Sequence, residues 1–260
     1  MRLLRSPLLH AFPHGFTTRQ GGASPAPWDA LNLGGAVGDD PARVAENWRR
    51  LAAATGLAFA RVRQVHGAEV ARLEAPTDCS GLALPPSAPE ADAVLTTTRG
   101  LAACVSVADC VPILIGDPRS GAVAAVHAGW RGTLARTAAA GVAALVREVG
   151  AAPDALLAAV GPSIGPCCYA VSADLAERFA VELGPGLAVG PPEAPRLDLW
   201  AANARVLAAA GVAAERVDVL RRCTACDRDT FFSHRRDRGR TGRQVAFIAP
   251  PDPTAGGALP

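Results

Sequence analysis

The sequence contains no lysine, because all 26 of its basic residues are arginines. A chain without lysine cannot form a Schiff base with a carbonyl substrate, cannot build a P-loop and has no lysine general base. These enzyme classes are therefore excluded. Aromatic residues make up only 5 % of the chain, so a core must depend mainly on leucine, valine and alanine.

Long apolar runs are absent as well. No run approaches the roughly 20 residues that a membrane-spanning helix needs, and Pro7 and His10 interrupt the only stretch that resembles a signal peptide. The net charge is +2, which gives no electrostatic case for nucleic acid or an anionic membrane. We expect a cytoplasmic protein with neither partner, and no protein partner is evident.

The seven cysteines are an odd number in a chain without a secretory signal. In that setting they stay reduced or bind metal rather than form a disulfide framework. The length of 260 residues is enough for a substantial core. We predict one catalytic domain over residues 1–249 and a disordered tail, rich in proline and glycine, over 250–260.

The stretch from Ala91 to Thr133 carries the clearest pattern. Three short runs rich in valine, at 101–107, 111–115 and 122–126, each end in polar, glycine or proline residues and are typical of buried strands. An α-helical face follows the sequence Gly-Trp-Arg-Gly at 129–132. The pattern indicates a small α/β enzyme whose reactive side chains lie at strand ends.

Elements elsewhere follow from capping and periodicity. We predict strands near 16–18, at 156–160, at 217–220 and at 244–249, and a strand or hairpin within 61–74. We predict helices from Pro41 to about Thr55, from Ser172 and from Asp198 to Ala210, with a loop over 184–195. Cys79 lies in a connection rich in proline and serine, and we assign it no role.

Cys110, His127 and His66 form the leading constellation. One thiolate and two imidazoles suit zinc and leave a fourth position open, as in catalytic zinc sites, where the metal activates water near neutral pH. The same residues could instead form a cysteine nucleophile with His127 as base and Asp109 or His66 as the orienting group. A buried cysteine beside two ordinary histidines is the third interpretation.

Candidate anion-binding groups lie nearby in the sequence. The glycines around Gly129 offer free backbone N–H groups at a helix start, with Arg131 adjacent. Arg19 lies in a long glycine-rich loop and could face an anion, and Gln64 precedes His66. We therefore take Arg19, Gln64, Gly129 and Arg131 as candidate substrate- or phosphate-binding residues.

We assign minor roles to two further motifs, the CxxC pair and the arginine run. Cys223 and Cys226 form a CxxC pair, but the adjacent Cys167 and Cys168 lack the spacing of a second pair, so we predict no four-cysteine zinc site. The arginine run at 235–243 could contact RNA or phosphate, but the small net charge and the nearby Asp227, Asp229 and Asp237 favour a solvated or ion-paired loop.

Seven groups of residues, in order along nearly the whole chain, resemble one protein family. They are HGFTTRQGGAS with LNLG, QVHGAEV, ADAVLTT, VADCVPIL, VHAGWRGT, GPSIGPCCYAV, and CT with FFSHRRD and TGR. The sequence is similar to the bacterial purine nucleoside phosphorylase/polyphenol oxidase family, also called the laccase-domain, multicopper polyphenol oxidoreductase or peptidoglycan editing factor family. Cys226 departs from the family pattern.

The resemblance implies a mixed α+β fold: a sandwich of mixed sheets flanked by helices, similar to cysteine-hydrolase toxin domains. It also implies metal ligation by His66, Cys110 and His127, with zinc as the cofactor and copper as a second possibility. The multicopper chemistry is disfavoured, because the chain has five histidines and its only methionine is Met1.

From the resemblance we predict a zinc enzyme that phosphorolyses adenosine, inosine, guanosine and methylthioadenosine and deaminates adenosine. Its partners would be a purine nucleoside and phosphate, and Asp109, Cys110 and His127 its catalytic residues. The alternatives are an amidase that edits peptidoglycan precursors, a copper polyphenol oxidase, a metal-free Cys–His hydrolase and, last, a non-enzymatic binding protein.

Overall fold

Two β-sheets packed face to face form the centre of the fold in a computed structural model, which describes residues 1–77, 84, 85 and 87–252. The strands are β1 (Leu3–Leu4), β2 (His14–Thr17), β3 (Ala58–Ala60), β4 (Val70–Arg72), β5 (Ala93–Thr96), β6 (Leu101–Val107), β7 (Val111–Gly116), β8 (Val123–Ala128), β9 (Leu157–Val160), β10 (Ala188–Val189), β11 (Arg196–Leu197), β12 (Val217–Val219) and β13 (Gln244–Ile248). The helices are α1 (Pro41–Thr55), α2 (Trp130–Leu134), α3 (Thr137–Val149), α4 (Ala173–Leu183) and α5 (Leu199–Ala209).

Both large sheets are mixed. The first has the order β1-β2-β13-β6-β3, in which only the β3/β6 pair is parallel. The second has the order β12-β9-β7-β8-β5-β4, with parallel pairs at its two edges, β12/β9 and β4/β5. Strands β10 and β11 form a separate antiparallel ribbon.

The alternation of side chains along the strands creates four layers. On β6, Ala103 and Val105 face the second sheet, while Ala102 and Cys104 face the layer formed by α1. On the second sheet, one face meets the first sheet and the other is covered by α3 and α5. Both faces of these strands are buried. This is why their sequences are continuous apolar runs rather than alternations of apolar and polar residues. The predicted mixed α+β sandwich is confirmed.

Helix boundaries follow the predicted caps closely. The Asp40 carboxylate accepts a hydrogen bond from the Ala42 amide at 2.9 Å, and Pro41 opens α1. The helix ends at Gly56, whose φ of 68° suits a glycine. Ser172 and Asp198 cap α4 and α5 in the same way.

Some expectations need correction or lie outside the described residues. Of the strand or hairpin predicted within 61–74, the strand is confirmed and the hairpin is not, because Val70–Arg72 is a single strand that pairs in parallel with β5. The loop expected over 184–195 contains β10. Cys79 and residues 253–260 of the predicted tail lie outside the described residues. Over the described part of the chain, no helix is long and apolar enough to cross a membrane.

Candidate metal centre and adjoining pocket

The ends of neighbouring strands bring Cys110 and His127 together. Cys110 directly precedes β7, and His127 on β8 lies opposite Pro112 of β7 in the antiparallel ladder. His66 reaches the same point from the loop before β4, with a φ of 62°. The ligand atoms of the three residues lie within 4.8 Å of one another. We call His66, Cys110 and His127 the His/Cys cluster.

Asp92 orients two members of this cluster. Its Oδ1 lies 2.7 Å from Nδ1 of His127, and both side chains are buried. Its Oδ2 accepts hydrogen bonds from the amides of Gly67 at 2.6 Å and Val65 at 3.1 Å. The carboxylate therefore fixes the His127 ring and the loop that carries His66. Because Nδ1 of His127 is occupied, Nε2 is left for a ligand, an arrangement typical of metal-binding histidines.

The members of the His/Cys cluster also shift one another's pKa values. Burial acts to raise the pKa of Cys110, but His127 and His66 outweigh it and lower the pKa to about 6. Burial acts to lower the pKa of His127, but Cys110 and Asp92 outweigh it and raise the pKa to about 9. Without metal, a thiolate beside an imidazolium is therefore the favoured pair at neutral pH.

Gly129 provides the space that this cluster needs. A β-carbon at this position would lie 2.8 Å from Sγ of Cys110 and 3.5 Å from Cδ2 of His66. A larger residue would push into the space between the donor atoms. One thiolate and two imidazoles around a small cradle fit a zinc ion with one open coordination position.

The His/Cys cluster lies on the wall of a cavity of about 670 Å³. This volume is within the usual range for a small-molecule site, roughly 300–1,000 Å³. One part of the wall is apolar or aromatic and is formed by Leu33, Ala36, Val37, Val62, Val107, Ile164 and Tyr169. The cationic part is formed by Arg61, Arg63, Arg235 and Arg243. A wall that contains both apolar residues and cations can hold a molecule with a flat apolar part and an anionic part.

Arg243 is the cation most suited to bind an anion from solution. Burial lowers its pKa, while the charges of Cys110 and Asp109 oppose that shift. Among the described residues no carboxylate lies within ion-pair distance of its guanidinium, and Nη1 donates only to the carbonyls of Thr241 and Gly242. A half-buried guanidinium of this kind can still donate hydrogen bonds to a phosphate oxygen.

Arg235 and Tyr169 lie together on the same wall. The Arg235 guanidinium lies 5.0 Å from the centre of the Tyr169 ring, and its Nη1 donates to the carbonyl of Ala170 at 2.8 Å. Burial and the charge of Cys110 raise the pKa of Tyr169 to about 12, so its hydroxyl stays protonated. Sequence reasoning set Arg235 and Arg243 aside with the rest of their arginine run, because nothing in such a run shows which arginine folds inward, and it gave no role to Tyr169.

The structure places Asp109 on the cavity wall, but its carboxylate already has two donors. The Thr224 hydroxyl donates to Oδ1 and the Arg235 amide donates to Oδ2, both at 2.6 Å. Its backbone has a φ of 89°, a rare value for a residue other than glycine. Asp109 therefore fastens the 223–236 loop to the strand end that carries Cys110.

Gln64 also lines the cavity, and its amide is fully engaged. Its side chain accepts a hydrogen bond from the Ser106 amide at 2.8 Å and donates to the Ser106 carbonyl at 2.9 Å. This pairing mimics a β-ladder and holds the His66 loop against β6. Gly129 lies at the cluster itself, as described above.

The two arginines predicted for phosphate lie elsewhere. Arg19 lines a different cavity, and its guanidinium pairs with Asp29 at 2.9 Å and donates to the Arg228 carbonyl. Arg131 is exposed, with its guanidinium 4.3 Å from the centre of the Trp130 ring. Neither side chain belongs to the wall of the cavity that holds the His/Cys cluster.

The fold brings together four cysteines that their spacing in the sequence did not group. Cys167, Cys168, Cys223 and Cys226 offer sulfur atoms that lie within 4.8 Å of one another. We call these residues the four-cysteine cluster. Sequence spacing failed here because the adjacent pair sits in a tight turn, in which Cys168 and Tyr169 donate to the Gly165 carbonyl at 2.9 and 3.0 Å. In a helical turn neighbouring side chains point about 100° apart, so both can reach one point.

A family model described as multi-copper polyphenol oxidoreductase laccase matches residues 13–250. The chain belongs to this family. A relative from Deinococcus radiodurans named purine nucleoside phosphorylase is 43 % identical over 254 residues, covering 96 % of this chain and 93 % of the relative. A Streptomyces coelicolor relative of the same name is 42 % identical and covers 90 % of this chain and 93 % of its own.

Solved structures of the laccase family have the same fold. The crystal structure of YlmD from Geobacillus stearothermophilus superimposes with a TM-score of 0.88 at 36 % identity and covers 97 % of both chains. The family resemblance inferred from the seven groups of residues is thereby confirmed.

A multicopper centre does not fit the residues of this family member. Its five histidines are too few for a copper trio beside a blue-copper site, and His14 is already bonded through Nε2 to the Ser6 amide and through Nδ1 to the Phe12 carbonyl. The only methionine, Met1, is 44 % exposed and cannot be an axial ligand. The His/Cys cluster suits a single metal ion.

Proposed function

We propose that this chain is a purine nucleoside phosphorylase that binds one nucleoside and one phosphate in the cavity beside the His/Cys cluster. The observation that carries the proposal is the composition of the cavity, whose wall contains apolar residues with Tyr169, the cation Arg243, and the reactive His/Cys cluster. The names of relatives about 40 % identical over nearly the whole chain point to the same activity.

In this reaction a phosphate oxygen bonds to C1′ of the sugar while the bond from C1′ to the purine nitrogen breaks. The electron pair of the broken bond stays on the base, which takes up a proton, and the products are the free base and a sugar 1-phosphate. Arg243 and Arg235 hold the phosphate, and the apolar wall with Tyr169 holds the base. Adenosine, inosine, guanosine and methylthioadenosine share the required glycosidic bond.

The cofactor in this proposal is a zinc ion held by His66, Cys110 and His127, with copper as a weaker fit. When bound, zinc supplies a Lewis acid in the cavity wall that polarises a substrate oxygen or nitrogen. Asp92 keeps Nε2 of His127 directed at the donor cluster, and Gly129 keeps the space clear. Deamination of adenosine, in which water replaces the amino group and ammonia leaves, is a second reaction that we assign to the same cavity.

A metal-free cysteine hydrolase is the second candidate, because Cys110, His127 and Asp92 have the connectivity of a catalytic triad. The His127 ring contacts Cys110 on one side and Asp92 on the other, and the pKa of Cys110 is lowered to about 6. In that case Cys110 would attack an acyl carbon, as in an amidase acting on a peptidoglycan precursor.

The deciding experiment measures release of free base and sugar 1-phosphate from inosine and adenosine, with and without phosphate, by metal-quantified wild type and by Arg243→Gln. Loss of a charge-assisted hydrogen bond is worth about 1.5–3 kcal/mol, so we expect KM for phosphate to rise roughly 10- to 100-fold. KM for the nucleoside should change little. Arg240→Gln is the matched control, because Arg240 is exposed and lies outside this cavity.

The competing outcomes are distinct. Metal-bound protein that releases no base from any of the four nucleosides would contradict the phosphorylase. Activity on an amide substrate that survives metal removal and needs Cys110 would favour the cysteine hydrolase instead. Unchanged KM for phosphate in Arg243→Gln would move the phosphate site to other residues, with Arg131 the next to test.

A further inference from the structure

Two loops that follow parallel strands carry the four-cysteine cluster. Strand β9 pairs in parallel with β12, so the chain leaves both strands at the same edge of the sheet. Pairing continues past the strand ends, where the Ser163 amide donates to the Arg222 carbonyl and the Thr224 amide donates to the Ser163 carbonyl, both at 3.1 Å. This register sets Cys223 beside the turn that carries Cys167 and Cys168.

The distances suit a metal ion better than a disulfide. Sγ of Cys226 lies 3.4 Å from Sγ of Cys167 and 3.4 Å from Sγ of Cys168. Four sulfurs around zinc, each about 2.3 Å from the metal, would be about 3.8 Å apart in a tetrahedron. A disulfide requires about 2.05 Å. All four are free thiols at non-bonded separations.

Backbone donors prepare one of the sulfurs for negative charge. The Gly165 amide donates to Sγ of Cys223 at 3.3 Å, and the Cys226 amide also donates to this sulfur. Two backbone N–H groups therefore point at the sulfur of the first cysteine of the CxxC pair, as they do around sulfurs that ligate a metal ion. The donor set, four soft sulfurs and no oxygen, selects thiophilic ions such as zinc.

We propose that Cys167, Cys168, Cys223 and Cys226 bind a zinc ion in a closed tetrahedral shell, separate from the His/Cys cluster. Each thiol gives up its proton on binding. Four protein ligands leave no open position, so this zinc is structural.

The zinc ties together two loops that shape the proposed substrate cavity. The first loop carries Ile164 and Tyr169 into the cavity wall. The second carries Thr224, whose hydroxyl donates to Asp109 next to Cys110. Fastening these loops holds that wall in one place, and the ion itself takes no part in the reaction.

The test counts metal in the full chain, purified under reducing conditions without chelator or metal-affinity tag. We expect two zinc ions per wild-type chain and one in Cys226→Ser. Cys110→Ala should also hold one, and the double variant none. Cys104→Ala is the matched control, because Cys104 is buried in the core away from both clusters and its loss should leave both ions.

Cobalt distinguishes the two centres without relying on variants that could fail to fold. Metal-free wild type titrated with cobalt should develop the intense sulfur-to-cobalt charge-transfer bands and the visible bands of a tetrahedral four-sulfur site. Cys110→Ala should keep them. In zinc-loaded wild type, the four cysteines should resist iodoacetamide and become reactive together once a chelator is added.

Several results would overturn the proposal. These are an unchanged zinc count in Cys226→Ser, a cobalt spectrum without four-sulfur character, or a disulfide joining Cys226 to Cys167 or Cys168 in native protein. None of these readouts depends on nucleoside turnover. A failure of the phosphorylase proposal would appear in the activity assays instead.

Discussion

Two cysteine-containing clusters lie on neighbouring strand ends of the same sheet, and their surroundings differ. The His/Cys cluster has three donors of two kinds, opens onto a cavity of about 670 Å³ and has a carboxylate behind one histidine. The four-cysteine cluster has four sulfurs of one kind, with Cys167 and Cys226 exposed. Three protein ligands facing a cavity leave a coordination position for a substrate or water, as in catalytic metal sites. Four protein ligands that join two loops leave none, as in structural metal sites.

The two clusters also differ in which parts of the chain supply their residues. The His/Cys cluster draws on three places in the chain: His66 lies in the loop before β4, Cys110 directly precedes β7, and His127 lies on β8. Two neighbours are constrained there, because Gly129 has little room for a β-carbon and Asp109 has a positive φ. The four-cysteine cluster draws on only two loops that are already paired through Ser163. The first arrangement sets the direction of reactive atoms, whereas the second only fixes a distance between loops.

The strongest test of this difference is Cys110→Ala. Loss of a ligand from the open cluster removes transition-state stabilisation of several kcal/mol, so we expect kcat/KM for the nucleoside to fall by at least about 10³-fold. The variant also loses one zinc ion, so its melting temperature should fall by no more than that of Cys226→Ser, and the loss of activity is what distinguishes the two variants. Steady-state kinetics and thermal unfolding measure the two effects. A variant that keeps a tenth of wild-type activity would remove Cys110 from the reaction.

Cys226→Ser should show the opposite balance. An ion that binds only the folded chain, at free concentrations 10²–10³ times its dissociation constant, stabilises by about 3–4 kcal/mol. We expect the melting temperature to fall by roughly 6–16 °C, with activity per folded molecule nearly unchanged well below that temperature. Wild type treated with a chelator, which removes both ions, should melt at or below the melting temperature of the variant. Equal melting temperatures for variant and zinc-loaded wild type would contradict a structural role.

Asp92→Asn should weaken only the His/Cys cluster. An asparagine cannot accept hydrogen bonds from both His127 and Gly67 with its two side-chain atoms, so one donor loses its acceptor. Substitutions behind a ligating histidine cost about 10- to 100-fold in metal affinity. Competition with a chromophoric chelator measures this, and the four-cysteine cluster serves as the internal reference. Equal weakening of both centres would indicate global destabilisation.

The smallest effect is expected for Thr224→Val, which breaks the contact that links the loop of one cluster to the other. The buried hydroxyl donates to Asp109 at 2.6 Å, and Asp109 keeps its second donor, the Arg235 amide. We expect a loss of about 1–2 kcal/mol in the free energy of unfolding and a modest rise in KM, with zinc content unchanged. Chemical denaturation and kinetics would show it. Loss of either ion would mean that the clusters are not independent.

Much of the local structure could be predicted because single stretches carry their own signals. The strand predicted at 101–107 has those bounds in the structure, and α1 starts and ends where Asp40, Pro41 and Gly56 indicate. The segment 61–74 was wrong as a hairpin, since its strand pairs with β5, more than 20 residues away. Because the partner strand is so distant in the sequence, the residues of the segment do not show which strand it pairs with.

The residues of the candidate site also divide into those that the sequence indicated and those that it did not. Cys110 and His127 stand at the ends of apolar runs, so their residue types and positions suggested chemistry together with His66, and the family motifs then supported the same three residues. Asp92 was not predicted, because a single aspartate before a strand is common and by itself indicates no function. Arg19 and Arg131 were chosen by their sequence surroundings, yet the structure pairs one with Asp29 and stacks the other on Trp130. The cavity wall holds Arg243 and Arg235 instead.

The sequence by itself determined the apolar runs, the helix caps, the family and the three residues of the His/Cys cluster. These depend on residue type and short-range spacing, which the chain carries directly. Only the tertiary structure decided which arginines enter the cavity, that Asp92 supports His127, and that Cys167, Cys168, Cys223 and Cys226 meet. The physical reason is that parallel pairing of β9 with β12 joins loops some 55 residues apart in the chain, and such register is set by packing of the whole sheet.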